Sequence, residues 1–475
     1  MPLTRANVYS LDSNGAQIAS LRKGFSVMGA RDPADPTSFR FQANIHGTTD
    51  PDPGTAAHPL FNQCQHGSFF FLSWHRMYLY FFERILRAAA GDPSLTLPYW
   101  DYSCATQGAV PAAYRLPADP VANSLYVAQR EDAYNQGESL SVFDVTNSGA
   151  FQYYNFFSAT GSNLSFGGQL LAAPPSSIDA QFYGQLEAQP HNTIHTQIGG
   201  SQGFMSAHVT AARDPVFFLH HANIDRLWKR WLDQGGGRAN PLDNSAWMNS
   251  PFTFFDETGQ QTTMTGAGIL DTVNQLGYQY DDDPPPVEAV PFSIDLRMHK
   301  AVQVQVTKAL DTKPRTLASQ ADVEIGTSGS VALPLNRAAR DAFAAVAGDE
   351  VKRRIVLRLE NVPGLPNPGV TYDIYLNPPT PAPGHQSKYY IATLGLYGMA
   401  GETRMPGMAG PHAGAVPKAI FGFDMTATVR AIQSEDRWDP EKAVVAFVSH
   451  GALVPEHKKS GHAPRIRINL SVVSE

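Results

Sequence analysis

The feature that most limits how this chain can fold is a change of periodicity across residues 281–291, DDDPPPVEAVP. Upstream of it, apolar residues recur at helical spacing. Residues 73–90, SWHRMYLYFFERILRAAA, add a Glu83–Arg87 pair four residues apart and Gly91 as a stop. Residues 217–233, FFLHHANIDRLWKRWLD, read the same way and run into three glycines from Gly235. Residues 185–198, QLEAQPHNTIHTQI, set Pro190 where a first helical turn tolerates it. The stretch 101–180, rich in Gly, Ser, Asn and Ala, predicts long loops over the core. Downstream, 355–362, 370–379, 388–398, 419–432, 443–451 and 465–473 alternate apolar and polar residues as strands do. The acidic run and its three prolines hold an extended backbone between the two patterns. The expectation is an α+β multidomain chain. A mainly α-helical domain occupies 1–280, a linker 281–291, and a small antiparallel β-sandwich 292–475. A length of 475 residues agrees, being long for a single core.

Composition narrows the partners. A net charge of −7 argues against nucleic acid or an anionic membrane as the main partner. No run of about 18 apolar residues appears, so no membrane-spanning helix is expected. The start, MPLTRANVYSLDSNG, lacks an apolar stretch with a small-residue cleavage site. It reads as a cytoplasmic start or as a mature chain already trimmed. Cys64 and Cys104 are the only cysteines, too few for a disulfide framework or a thiolate zinc site. They fit a reducing compartment and leave a single Cys64–Cys104 bridge open.

Histidine carries the chemistry. Nine of 15 histidines lie at or before His221, and none falls between His221 and His299. One group is His46, His66 and His75. A second is His191 and His195 in HNTIH, with His220 and His221 further on. A four-residue step puts both imidazoles of HNTIH on one helix face, as a shared metal requires. Singly each signal is weak, because a lone buried histidine is more often a core residue. Together they supply imidazoles for two three-coordinate metals. Such donors suit copper, zinc, iron or nickel, so donor chemistry alone does not choose.

The longer patterns around these histidines do. His66, Phe71, Leu72, Ser73, Trp74, His75, Arg76, Leu79 and Glu83 stand at the spacing of the first-copper signature of the tyrosinase, catechol oxidase and molluscan haemocyanin family. The run from Asp214 to Phe218, followed by His221 and Asp225, resembles its second-copper signature. LPYWDYS (97–103), Tyr278-Gln279-Tyr280 and TYDIYLNPP (371–379) resemble further segments of plant polyphenol oxidases. The resemblance implies a four-helix bundle around two copper ions that use dioxygen as co-substrate. It implies His46, His66 and His75 on the first copper, with His58 the competitor for His46. His191, His195 and His221 would hold the second, His220 supporting its neighbour.

The same resemblance implies a Cys64–His66 thioether, and Glu187 with Asn192 holding the water that takes the phenol proton. A solvated carboxylate at a helix start is the plainer reading of Glu187. His208, thirteen residues before His221, falls at the family's gate position, where a loop histidine facing solvent is the alternative. Asp225 and Arg226 are expected in a polar network under the ligand helix, with Arg5 stacked on Tyr278. The C-terminal domain is expected to cover the site. In the loop 395–414, Tyr397, Met399, Met405, Met408 and His412 are candidates for plugging the pocket or loading copper. The implied activity is that of a tyrosinase, hydroxylating monophenols and oxidising o-diphenols to o-quinones. A catechol or o-aminophenol oxidase without hydroxylation, and a haemocyanin-like oxygen binder, are the alternatives. Small phenols are the expected substrates, and a homo-oligomer is compatible with the chain.

Overall fold

The computed structural model describes residues 1–48, 56–140, 150–158, 164–175, 182–201, 203–283, 315–324, 329–347, 353–363, 370–384, 387–397, 418–433, 441–450 and 465–474. It is a mixed α and β chain with a helical core and antiparallel sheets. In the helical part, α1 (Ala16–Ala30), α2 (Phe39–His46), α3 (Phe70–Ala90), α4 (Asn192–Gly199) and α5 (Val216–Asp233) pack around aromatic side chains. Ser38 starts α2 by accepting the Phe41 amide at 3.1 Å, so the helix ends on His46. The sequence pattern of α3 leaves almost no polar face, and the helix is buried along most of its length between α1 and α5. Gly91 closes it in the left-handed region at φ 64°, bonding the carbonyls of Arg87 and Ala88.

One expected helix is interrupted. Residues 187–191 form a π-helical turn in which Gln189 is extended (φ −155°, ψ 121°), and α4 begins only at Asn192. Pro190 is the cause, because its ring clashes with a helical conformation at the residue before it. The loop character of 101–180 holds among the described residues, which carry only short helical turns there.

A buried ionic knot fastens the helices and both ends of the helical part. Asp225 on α5 accepts Arg76 Nε at 2.5 Å and the hydroxyls of Tyr278 and Tyr280 at 2.6 Å each. Arg5 Nε donates to Glu83 at 2.8 Å, and its guanidinium lies 3.7 Å from the Tyr278 ring centre, the expected stack. The strand β1 (Leu3–Arg5) pairs with β4 (Tyr278–Tyr280) beside it, while a hairpin of β2 (Phe252–Phe255) and β3 (Gln261–Met264) covers one side. Asp281–Asp283 are docked on this part: Asp281 takes the Tyr99 hydroxyl at 2.6 Å, and Asp282 pairs with Arg226 at 2.7 Å. Residues 284–291 of the expected linker lie outside the described residues.

The C-terminal part holds two four-stranded antiparallel sheets. Their orders are β10-β7-β12-β5 and β6-β11-β8-β9. The strands are β5 (Arg315–Glu324), β6 (Gly329–Pro334), β7 (Arg353–Pro363), β8 (Thr371–Leu376), β9 (Tyr390–Gly395), β10 (Lys418–Asp424), β11 (Lys442–His450) and β12 (Arg465–Ser474). The expected strand 419–432 is corrected: β10 stops at Asp424 and a helix, α7 (Thr426–Gln433), follows α6 (Arg337–Ala347). Asp424 causes the switch by accepting the Thr426 amide at 2.9 Å, after which Val429 and Ile432 bury one helical face.

Among the described residues two large hydrophobic cores result, beside a small cluster of Tyr153, Leu164 and Val356, and the two large ones exchange members. The first runs from Val8 to Tyr280 but includes Tyr397. The second runs from Leu317 to Leu470 but includes Tyr183 and Ala188.

Candidate metal centre

His46 ends α2, His75 lies in the second turn of α3, and His66 precedes α3 on the chain. Their nearest ring nitrogens all fall within 4.8 Å of one another. Each Nδ1 is already occupied. His46 Nδ1 is 3.1 Å from the His208 carbonyl, His75 Nδ1 is 2.8 Å from the Phe71 carbonyl one turn back, and His66 Nδ1 is 2.9 Å from the Glu187 carboxylate. A carbonyl only accepts, so Nδ1 of His46 and His75 carries the proton and Nε2 keeps a bare lone pair, and His66 has the same tautomer when its Nδ1 donates to the ionised Glu187 carboxylate. All three Nε2 atoms are buried without a partner among the described residues.

The second group repeats the device at His191 and His195, whereas His221 Nδ1 is buried with no partner among the described residues. His191 Nδ1 faces Asn192 Oδ1 at 2.9 Å and His195 Nδ1 faces the Met205 carbonyl at 3.0 Å. His195 Nε2 and His221 Nε2 meet at 3.2 Å. His220 completes a set of four whose nearest nitrogens also lie within 4.8 Å. Its Nδ1 sits 3.2 Å from the Tyr102 hydroxyl. Burial lowers the pKa of every one of these imidazoles, to about 3 for His46 and His220, so they are neutral at ordinary pH. An unpartnered buried nitrogen costs about 1–3 kcal/mol. Several converging on two points form a site whose cost a cation relieves, with Nδ1 fixed as a metal-binding imidazole needs.

Glu187 joins the groups. It belongs to the turn that carries His191, yet its carboxylate accepts from His66 and, at 3.0 Å through both oxygens, from the Gly67 amide. Burial pushes its pKa well up, with the Gly67 bond opposing. It is 1% exposed, which removes the solvated-carboxylate reading. The Asn192 amide nitrogen is buried with no partner among the described residues.

His208 is also buried, so the solvent-facing alternative is corrected: its backbone is drawn inward because its carbonyl anchors His46. Gly47 makes that approach possible, since a Cβ there would stand 2.3 Å from the same carbonyl oxygen. The His208 ring stacks on His66 at 4.1 Å. Tyr397, two residues beyond β9, stacks on His195 at 3.9 Å and meets His208 edge-on at 4.5 Å. Its hydroxyl has no partner among the described residues, and burial raises its pKa. His58 packs on Phe41 and Phe61, away from the groups. Cys64 is a buried free thiol whose pKa burial raises, with Glu187 adding to the rise, and Cys104 is free too, so the bridge left open is not formed. Met399, Met405, Met408 and His412 lie outside the described residues. Sequence reasoning did not find the carbonyls of His208 and Met205 or the Tyr102 hydroxyl. Carbonyls carry no side-chain signal, and Tyr102 was legible only as part of LPYWDYS.

The common central domain of tyrosinase matches residues 36–234, and the polyphenol oxidase middle domain matches 242–289. A domain of unknown function matches 287–460. Tyrosinase HcTyr1 of Hahella sp. (strain CCB-MM4) is 30% identical over 99% of this chain and 98% of its own length. The chain belongs to the tyrosinase and polyphenol oxidase family. It is a type 3 copper phenol oxidase, and its two buried histidine groups suit the copper site of that family. This sets aside the oxygen-carrier alternative. Chloroplastic polyphenol oxidase A1 of Vicia faba is 28% identical over 79% of this chain and 68% of its own. Among solved structures, latent apple tyrosinase shares the fold at TM-score 0.63 and 21% identity, covering 100% of this chain and 97% of its own. No helix among the described residues is long and apolar enough to cross a membrane.

Proposed function

We propose that this family member acts as a tyrosinase, hydroxylating small monophenols and oxidising the resulting o-diphenols to o-quinones with dioxygen. The observation that carries the reading is the pair of buried imidazole groups, with His46, His66, His75, His191 and His195 anchored through Nδ1, and Glu187 and Asn192 between them. In this reading His46, His66 and His75 hold one copper ion, and His191, His195 and His221 the other. When bound, the copper pair would supply the redox chemistry that links the phenol to dioxygen. The protein does the rest. Anchored imidazoles hold their lone pairs in place, and the walls of Phe71 and Phe217 exclude water. Glu187, with the Asn192 amide, takes the phenol proton through a water. His208 contacts the substrate ring at the pocket mouth, so His208→Phe changes relative rates across substrates, and unchanged ratios remove that role. A Cys64–His66 thioether would hold the His66 ring further, and a peptide mass lower by two hydrogen atoms tests it.

The family division is read as two units, 1–280 and 292–475, a helical bundle and a sandwich joined at 281–291. The second covers the first, with Tyr397 as the group that fills the pocket. One observation favours diphenol or o-aminophenol oxidation alone: Glu187 and Asn192 Oδ1 already bond His66, Gly67 and His191. Copper analysis with oxygen uptake on one monophenol, one catechol and one o-aminophenol separates the readings. Two coppers per chain and a lag on the monophenol are expected. Turnover of the catechol alone would leave the second reading, and a chain that binds no copper would overturn both.

A further inference from the structure

The segment 182–196 carries Glu187, His191, Asn192 and His195, and it is gripped from both sides by the C-terminal sheets. On one side is β10, the end strand of its sheet. Phe182 forms a parallel bridge with Ile420, Tyr183 stacks on Phe421 at 5.1 Å, and Gln185 Nε2 donates to the Gly422 carbonyl at 2.9 Å. On the other side is β9, the end strand of the second sheet. A Cβ at Gly395 would stand 2.7 Å from the Asn192 carbonyl oxygen and 2.8 Å from Thr193 Cα, so the strand lies directly on the helix backbone. Thr193 Oγ1 points to the Thr393 carbonyl at 3.4 Å. Tyr183 and Ala188 are members of the C-terminal core. End strands expose unpaired backbone groups and need a cover. Here the metal-site segment is that cover.

We propose that the C-terminal sheets are a positioning scaffold for the second histidine group, with Gln185 and Gly395 as positioning residues that hold His191 and His195 in place. The cover and the scaffold are then different devices: Tyr397 fills the pocket, whereas β9 and β10 hold its wall. Opening of the pocket is a displacement of Tyr397 with the sheets still docked. The inference rests on the dicopper reading only for its copper readout.

The test uses the full chain. Gly395→Val forces β9 off α4, Gln185→Leu removes the β10 bond, and Tyr397→Gly empties the pocket without touching either contact. In metal-free protein, hydrogen exchange of the 192–199 amides is expected to speed about tenfold in the first two variants, with 70–90 unchanged. After copper loading and dialysis against a weak chelator, these variants are expected to keep one copper where wild type keeps two. Tyr397→Gly is expected to match wild type in both. Gly395→Ala and Gln185→Leu carry the test should Gly395→Val fail to fold. Wild-type protection of 192–199 in both of these folded variants overturns the scaffold. A wild type that binds no copper overturns the proposed function instead and leaves the exchange result standing.

Discussion

The two histidine groups use one chemistry on two kinds of support. His46 and His75 hang from α2 and α3, which pack on aromatic side chains and on each other's neighbours within the helical part. His191 and His195 ride on a segment whose companions Tyr183 and Ala188 belong to the other core. The first group is braced by neighbouring elements of the helical part, by the Glu187 carboxylate and by the distant His208 carbonyl. The second depends on strands roughly two hundred residues away. Equivalent ligands in a symmetric-looking centre are therefore not equally secure, and damage to either part of the chain falls on different imidazoles.

The largest test of that contrast removes a ligand from each group. His75→Ala and His221→Ala should each reduce phenol oxidation to background, with copper per chain falling in both, as read by metal analysis and oxygen uptake. Unchanged copper in either variant assigns that group wrongly. Next is Asp225→Asn, which leaves the buried Arg5 and Arg76 cations short of their counter-charge. It should destabilise the helical part by about 3–5 kcal/mol in denaturant unfolding, striking the supports of both groups at once. Glu187→Gln should weaken copper at the first group by about 10–100-fold in a competition titration, because His66 loses its charged anchor. A loss confined to the second group would reverse the comparison. Tyr397→Gly should raise kcat/KM by about tenfold, mostly through KM, since the competent open state becomes the main one.

The smallest effect is at the rim of the second support. His450 Nε2 bonds Asp373 at 2.6 Å, and Asp373 also takes the Thr393 hydroxyl at 2.7 Å. The bond to Asp373 raises the His450 pKa. A raised folded-state value gives stability that is full below the unfolded value and is lost as pH rises through the folded one. His450→Gln should flatten that decline above about pH 6.5. The side chain is 43% exposed, so solvent screening keeps the effect under about 1 kcal/mol in unfolding curves at two pH values. A steeper decline in the variant would contradict the assignment.

What could be read from the sequence was what repeats or sits on a side chain. The periods of α3 and α5 placed those helices within a few residues, and the histidine spacing pointed to the groups that the fold assembles. Strand alternation found β7, β8, β9, β11 and β12. It ran on through Asp424 because β10 and α7 both bury every few residues, and only a side-chain bond to Thr426 marks the change. The edge strand β5 escaped because its buried positions do not alternate, with register shifts against β12. Glu187 was legible as a carboxylate beside His191. Its bond to His66, 121 positions away, was not. Tyr397 stood out in a Gly-rich loop, but nothing local announced that it would lie on His195.

That tyrosine has a kinetic consequence. The ring over His195 is a phenol, and it is covalently part of the catalyst. On the proposed role of Tyr397, a free phenol competing for the same space meets a tethered rival whose effective concentration is set by the chain. Occupancy by substrate then depends on beating that local molarity, and no dilution of the protein can lower it.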